Sequence, residues 1–360
     1  MNHRQGVMED GSEQAVRIGF IGCGRATDQL HLPALKSLQG VEVVGLADPD
    51  PDALRRASRH VRAEHLVADY QELLKLDSVD AVAVCVPAQR HVEIALAALE
   101  ARKHLFIEKP LALALEDCDR LIARASGTTR TVMMGFNARW HRLTRQARAV
   151  IQQGRLGQLD LIRSVLTSFH DRVPAWRRTR ATGGGALLEM AVHHFDLWRY
   201  LTQAEVEEVS AYVRSGQWED ESATVIARMS NGLLATAVCA ERTSQNNSLE
   251  IFGRAGSLAL SFYRFDGLEY ASTTSVPGDV RSRVDAATRL VRELPQAISG
   301  LRHGGEWALS YREEWRHFLA CLRNGRPPGC TLEDGRRALA VALAAMESAS
   351  TGRSVTVDRA

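Results

Sequence analysis

A lysine in an arginine-dominated chain is the first residue that could do chemistry. Only four of the 45 Lys and Arg residues are lysine (36, 75, 103 and 109), and Lys109 stands in Glu108-Lys109-Pro110, directly after the apolar run HLFIE (104–108). A guanidinium keeps its proton at any working pH, whereas a partly desolvated lysine can exchange one. Pro110 restricts its predecessor to extended backbone, which aims the lysine side chain. A strand that ends in a charged turn would read the same way. The segment GGGALLEMAVHHFDLWRYL (183–201) carries a second group. Its glycines (183, 184 and 185) allow close approach of backbone to a ligand at a helix start. Glu189, His193 and Asp196 follow at i, i+4 and i+7, on one helical face. A histidine bracketed by carboxylates suits acid–base work near neutral pH, although an ordinary amphipathic helix with a polar edge has the same spacing. His194 points to another side of that helix and cannot join His193 as a ligand, so no metal is expected.

The third group is a glycine turn. Gly22-Cys23-Gly24-Arg25-Ala26-Thr27 follows the apolar run VRIGFIG (16–22), with Thr27 at the third fingerprint position. Two glycines there let backbone turn tightly and approach a pyrophosphate, which rests on the amides of a helix N-terminus. Asp48, at the end of VEVVGLAD (41–48), is placed to accept hydrogen bonds from an adenosine ribose and to repel a 2′-phosphate, favouring NAD over NADP. Its alternative role is to start a turn before Pro49.

The elements that must hold these groups alternate. The runs 16–22, 41–48, AVAVCVP (81–87), 104–108 and TVMMGF (131–136) have the near-continuous apolarity of parallel strands buried on both faces. Between them lie helical stretches, such as 90–103 with Val92, Ala95, Leu96 and Leu99 on one stripe. This predicts βαβ units and a doubly wound sheet over 16–137. From about residue 158 the runs LDLIRSVLTSF, EEVSAYVRS, ATVIARMS, LLATAVCAER, SLEIFGRAGSLALSF and EYASTT follow one another with short turns, predicting an open, mostly antiparallel sheet within 138–360. Helices are expected near 186–201, 308–323 and 333–350; the amphipathic stretch 276–306 yields no firm reading.

With 360 residues, 45% hydrophobic and 24% charged, the chain has the composition of an ordinary two-domain globular protein. A net charge of +2 gives no domain-wide basic footprint for nucleic acid, and no apolar run approaches the roughly 20 residues of a membrane span. Residues 1–15 read as a polar disordered tail without a signal-peptide core. Six scattered cysteines without a C-x-x-C pair suggest reduced thiols in the cytoplasm.

Together, the G-x-G turn, the E-K-P segment at Lys109 and GGG-A-L-x-[DE]-x-x-x-H-x-x-D resemble the Gfo/Idh/MocA oxidoreductases, the glucose–fructose oxidoreductases, inositol dehydrogenases and related sugar dehydrogenases. The likeness extends to C-V-P-A-x-x-H (85–91), F-G-R-A-G-S-L (252–258) and the tail from Phe318 through Val355. It implies a Rossmann domain followed by an α/β domain whose open sheet joins subunits into a homodimer or homotetramer. It further implies NAD bound by Gly22, Cys23, Gly24, Arg25, Ala26, Asp48, Val86, Pro87, His91, Glu108 and Lys109. Catalysis would fall to Lys109 and His193, with Asp196 or Glu189 orienting the imidazole. The family's acid at 189 is usually Asp, and its glycine two residues later is here Ala191. The expected activity is hydride transfer between nicotinamide and a hydroxyl or keto carbon of a sugar, inositol or derivative. A dinucleotide-binding sensor and an NAD-dependent glycoside hydrolase are the alternatives. Asn137, Arg139, His170 and Trp176, with Trp140 and His141, are candidates for substrate contact. The run Arg177-Arg178-Thr179-Arg180 could hold a substrate phosphate or carboxylate, or be a solvated loop.

Overall fold

The computed structural model describes residues 15–276, 278–302 and 304–359, so the expected tail, Ala15 apart, lies outside the described residues. The first sheet holds six parallel strands: β1 (Val16–Ile21), β2 (Val41–Ala47), β3 (His65–Val67), β4 (Ala81–Val84), β5 (His104–Glu108) and β6 (Val132–Gly135), in spatial order β3-β2-β1-β4-β5-β6. Strand β3 is a three-residue edge strand that apolar periodicity does not reveal. All four residues of β4 are fully buried, as its unbroken apolar run requires. The order reverses between β1 and β4, so a crevice opens beyond their carboxyl ends, where ligands bind in such sheets.

Two helical layers cover this sheet. On one side lie α1 (Leu32–Lys36), entered through a π-helical turn at Thr27–His31, and α2 (Pro51–Ala57), capped by the Asp50 carboxylate on the Asp52 amide. On the other lie α3 (Tyr70–Leu74), α4 (His91–Glu100) and α5 (Leu115–Ser126). The first side is completed from far along the chain. Helix α9 (Glu306–Asn324) inserts Tyr311, Trp315, Phe318 and Leu319 among Ile18, Phe20, Leu32 and Phe106. The Phe106 and Trp315 rings stack with centroids 4.5 Å apart.

After α6 (Arg142–Gln152) the chain builds an eight-stranded sheet from β7 (Leu159–Phe169), β8 (Val206–Arg214), β9 (Ser222–Met229), β10 (Leu234–Ala240), β11 (Arg242–Gly253), β12 (Gly256–Ser261), β13 (Leu268–Ser272) and β14 (Val355–Thr356). The order is β13-β12-β11-β7-β10-β9-β8-β14, antiparallel throughout except for the central β7–β10 pair. Strand β9 shows the one-sided pattern: Ala223, Val225, Ala227 and Met229 are buried and alternate with exposed Thr224, Ile226 and Arg228. Helices α7 (Val192–Thr202) and α10 (Leu332–Thr351) cover the inner face. There Trp198 donates its indole N–H to Ser164 Oγ at 2.7 Å. The stretch without a firm reading contains α8 (Val280–Arg302), whose apolar side chains Val280 and Val291 remain exposed.

Candidate active site

The end of β1 requires glycine. Gly22 has φ +93°, and a Cβ there would lie 2.5 Å from the Cys85 carbonyl oxygen at the end of β4. Thr27, fully buried at the third fingerprint position, closes the turn by donating its hydroxyl to the Gly22 carbonyl at 2.6 Å. Nothing lies within 4 Å of where a Gly24 Cβ would be, so the outer side of the turn is open. Asp48 reaches back from β2: Oδ2 accepts the Cys23 amide at 2.7 Å and Oδ1 the Asp50 amide at 2.8 Å. Each oxygen keeps a lone pair for a sugar hydroxyl.

Lys109 and the helix that begins near residue 187 meet across the cleft. Lys109 Nζ donates to the Glu189 carbonyl at 2.8 Å and to Glu189 Oε2 at 3.2 Å. Both side chains are nearly buried. Burial alone would push the Glu189 carboxyl up, but the cations of Lys109 and Arg177 outweigh it and hold it below the usual carboxylate range. His193 sits edge-on to Phe136, ring centroids 6.0 Å apart. Burial first, then the nearby Lys109 ammonium, push its pKa well below that of an ordinary histidine. It is therefore uncharged near neutral pH, and its Nδ1 has no hydrogen-bond partner among the described residues.

Leu187–Ala191 form a π-helical turn before α7, a widening often found at functional sites. This turn breaks the simple 3.6-residue phase that put Glu189, His193 and Asp196 on one face. Asp196 does not orient His193. It is fully buried and gripped through both oxygens by Arg139, at 2.5 and 2.7 Å. The expectation for Arg139 changes with it. That side chain is 4% exposed and also bonds Asp334 Oδ2 at 2.9 Å, so it is a strut between the segment after β6, α7 and α10, not a substrate contact. Asn137 is likewise buried, donating to Ser310 Oγ at 2.8 Å. His141 is fully buried, capping α6 through the Leu143 amide. His194 turns to Asn247 on β11 at 3.1 Å.

Cofactor-side expectations are refined in the same way. His91 is buried with its ring nitrogens on the carbonyls of Val86 (2.8 Å) and Pro110 (2.7 Å), bracing the ends of β4 and β5 from behind. The Cys23 amide is taken by Asp48, and its thiol is buried. Glu108 turns inward: Oε1 meets His31 Nε2 at 2.9 Å and Oε2 accepts the Lys109 amide at 3.0 Å. Trp315 donates to His31 Nδ1 at 3.1 Å, which leaves the proton on Nε2, facing Glu108. The triple glycine makes room for protein rather than ligand, because a Cβ on Gly184 would lie 2.1 Å from the Arg177 carbonyl oxygen. His170 is half-buried within the field of Arg177, Arg25 and Glu189, and Trp176 is half-buried on the neighbouring loop.

Residues 16–136 match the family model of an oxidoreductase family with an NAD-binding Rossmann fold, and residues 144–259 match that of the GFO/IDH/MocA C-terminal domain. The chain belongs to the GFO/IDH/MocA oxidoreductases. A myo-inositol 2-dehydrogenase of Thermotoga maritima is 31% identical over 352 residues, 95% of this chain and 99% of the relative. A scyllo-inositol 2-dehydrogenase (NAD(+)) of Bacillus subtilis is 26% identical across 96% of this chain and 97% of its own length. Among solved structures, a probable dehydrogenase from Thermotoga maritima aligns with TM-score 0.76 at 27% identity, over 95% of this chain and 98% of that one.

The cofactor of such a family member is NAD, and the residues present fit it. Gly22 makes the tight turn, the open side at Gly24 would admit a pyrophosphate, and the anchored Asp48 carboxylate would accept from a ribose. Sequence reasoning missed His31 and Trp315. Their partners lie tens to hundreds of residues away, and no local pattern marks them.

Because Asp48 is fixed by two amides, it cannot swing aside for a 2′-phosphate. Binding should therefore favour NAD, and Asp48→Ser should narrow the gap between NAD and NADP by about 10- to 100-fold. Equilibrium titration of both cofactors measures this; tighter binding of NADP to the unaltered protein would contradict it.

Proposed function

We propose that this protein oxidises a secondary hydroxyl of a small polyhydroxylated molecule, a sugar, an inositol or a derivative of one, with NAD as acceptor. The observation that carries this reading is the meeting of Lys109, Glu189 and a neutral His193 beside the crevice at the ends of β1 and β4. Bound NAD supplies a nicotinamide ring that accepts hydride at its C4. The chain's own groups handle the proton and the charge. Lys109, held from behind by the Glu189 carbonyl and carboxylate, presents its ammonium to the reacting oxygen and stabilises negative charge developing there. His193, neutral and partly desolvated, takes the hydroxyl proton. Glu189 positions Lys109, and Glu108, pinned by His31, fixes the backbone beneath it. The inositol dehydrogenase relatives support the substrate class. Incubating the protein with NAD and a panel of inositols, aldoses and anhydrosugars should yield NADH with at least one of them. Silence across the panel would overturn the reading.

Self-association through the outer face of the large sheet belongs to the same proposal. Tyr212, Ile226, Leu234, Val238, Leu161 and Phe252 are exposed there, the two most exposed being Tyr212 at 79% and Ile226 at 53%. An apolar face of that extent suits an isologous partner. Light scattering at micromolar concentration should give two or four times the 39.7 kDa chain mass, and Ile226→Glu should lower it; a monomer mass would count against pairing. All six cysteines are unpaired thiols, which suits a reducing compartment such as the cytoplasm.

A further inference from the structure

Two arginines of the basic run before the triple glycine, Arg177 and Arg180, are paired with carboxylates. Arg180 forks onto Asp220 through both oxygens. Arg177 is the member that enters the cleft. Its Nε lies 3.7 Å from Glu189 Oε2, and its Nη2 donates to Glu241 Oε1 at 2.5 Å. Glu241 is completely buried between β10 and β11, and its other oxygen takes the Trp218 indole N–H at 2.6 Å. Its backbone carbonyl meanwhile accepts the His170 amide at 2.9 Å. One residue thus holds the Arg177 guanidinium with its side chain and the His170 backbone with its carbonyl.

A buried carboxylate is costly unless paired, and it adds nothing to the sheet ladder around it. Its effect is on the cleft's charge. Lys109 and Arg177 are balanced by Glu189 and Glu241, while His170 and His193 are both pushed toward neutrality by burial and neighbouring cations. An anionic group on a substrate would meet Glu189 with Lys109 and Arg177 already engaged. We propose that Glu241 is a specificity-determining residue: by holding Arg177 it restricts the site to uncharged polyols and excludes sugar acids and sugar phosphates. Negative charge is disfavoured because Arg177, the guanidinium beside Glu189, is already paired with carboxylates, while hydroxyl groups still find donors and acceptors. This inference rests on the dehydrogenase reading above.

The test compares matched pairs: D-glucose with D-glucuronate, D-galactose with D-galacturonate, and myo-inositol with its 1-phosphate. In each pair that reacts, kcat/KM for the neutral member should exceed that of the anion by about 100-fold or more. Glu241→Gln keeps the shape and the indole partner but removes the charge. It should shrink that ratio at least about 10-fold with NAD affinity within a few-fold, whereas Glu241→Asp should preserve it. An unchanged ratio in a folded Glu241→Gln protein would overturn the inference. If neither variant folds, the unaltered protein decides: competitive inhibition or turnover by the acids on a par with their neutral partners overturns it, and discrimination against them supports it. Absence of NADH from every compound, neutral or acidic, would instead overturn the dehydrogenase reading itself.

Discussion

Lys109→Met and His193→Ala should each lower kcat by about 10²- to 10⁴-fold, the usual worth of a positioned acid–base group, and the double variant should be little slower than the poorer single. In the proposed mechanism the two side chains serve one reacting oxygen from different places, the end of β5 and α7, and groups acting as a unit are strongly non-additive. NAD affinity should remain within a few-fold, because Gly22, Gly24 and Asp48 hold the other end of the cofactor. Lys109→Arg should be nearly as damaging as Met. The Nζ position lies 2.8 Å from a carbonyl and 3.2 Å from a carboxylate with both side chains nearly buried, and a planar guanidinium does not fit that point-charge geometry. Steady-state rates with the reactive polyol decide; near-normal turnover by the Arg variant would reduce Lys109 to a charge at the cleft wall. The acid limb of kcat/KM should also lie below the ordinary histidine range. His193 is pushed well down by burial and Lys109, and so remains a competent base until the pH drops past that lowered value.

The second large effect is on stability. Burial pushes His141 and His194 down to about 4. In the unfolded chain each binds its proton near pH 6.5, so between there and pH 4 the unfolded state holds more protons and stability falls as the pH falls. Each histidine should contribute about 3 kcal/mol of loss across that window. His91 and His193 are shifted in the same direction and add to the loss. Carboxylates held low by arginine, such as Asp334, lose their contribution only from about pH 4 downward. Denaturant midpoints at pH 7 and pH 4 should differ accordingly. His194→Gln, which can still reach Asn247, should flatten the slope; a variant with the full slope would mean that His194 does not titrate in this range.

How much of this was legible follows from the range of each interaction. The strand–glycine–helix unit at Gly22, the acid at Asp48, the lysine at 109 and the histidine at 193 carry signatures within a few residues of themselves, so spacing picks them out, although the partners that hold Asp48 and Lys109 lie 25 and 80 residues away. The fates of Asp196 and Arg139 are not local. They are 57 residues apart in a bidentate bond, and helical phase alone assigned Asp196 to the imidazole instead. The triple glycine was read correctly as a close approach, but of the wrong object: the Arg177 backbone comes near, not a ligand. Helix α8 escaped because its apolar side chains stay exposed, so the pattern that normally reports a buried face reports nothing about the core here. The parallel β7–β10 pair inside an otherwise antiparallel sheet is a matter of topology, invisible to alternation.

The placement of α9 bears on how the molecule is made. The layer over β1 and β5 is unfinished until Trp315 and Phe318 have been synthesised, more than 200 residues after Phe106. A nascent chain leaving the ribosome therefore carries a nucleotide-binding half with one apolar side only partly covered while strands β7 to β13 are still being translated. Helix α9 thus joins the two halves through the core of the first. A fragment ending near residue 137, however plausible as a dissected domain, would expose Phe20 and Phe106 to water.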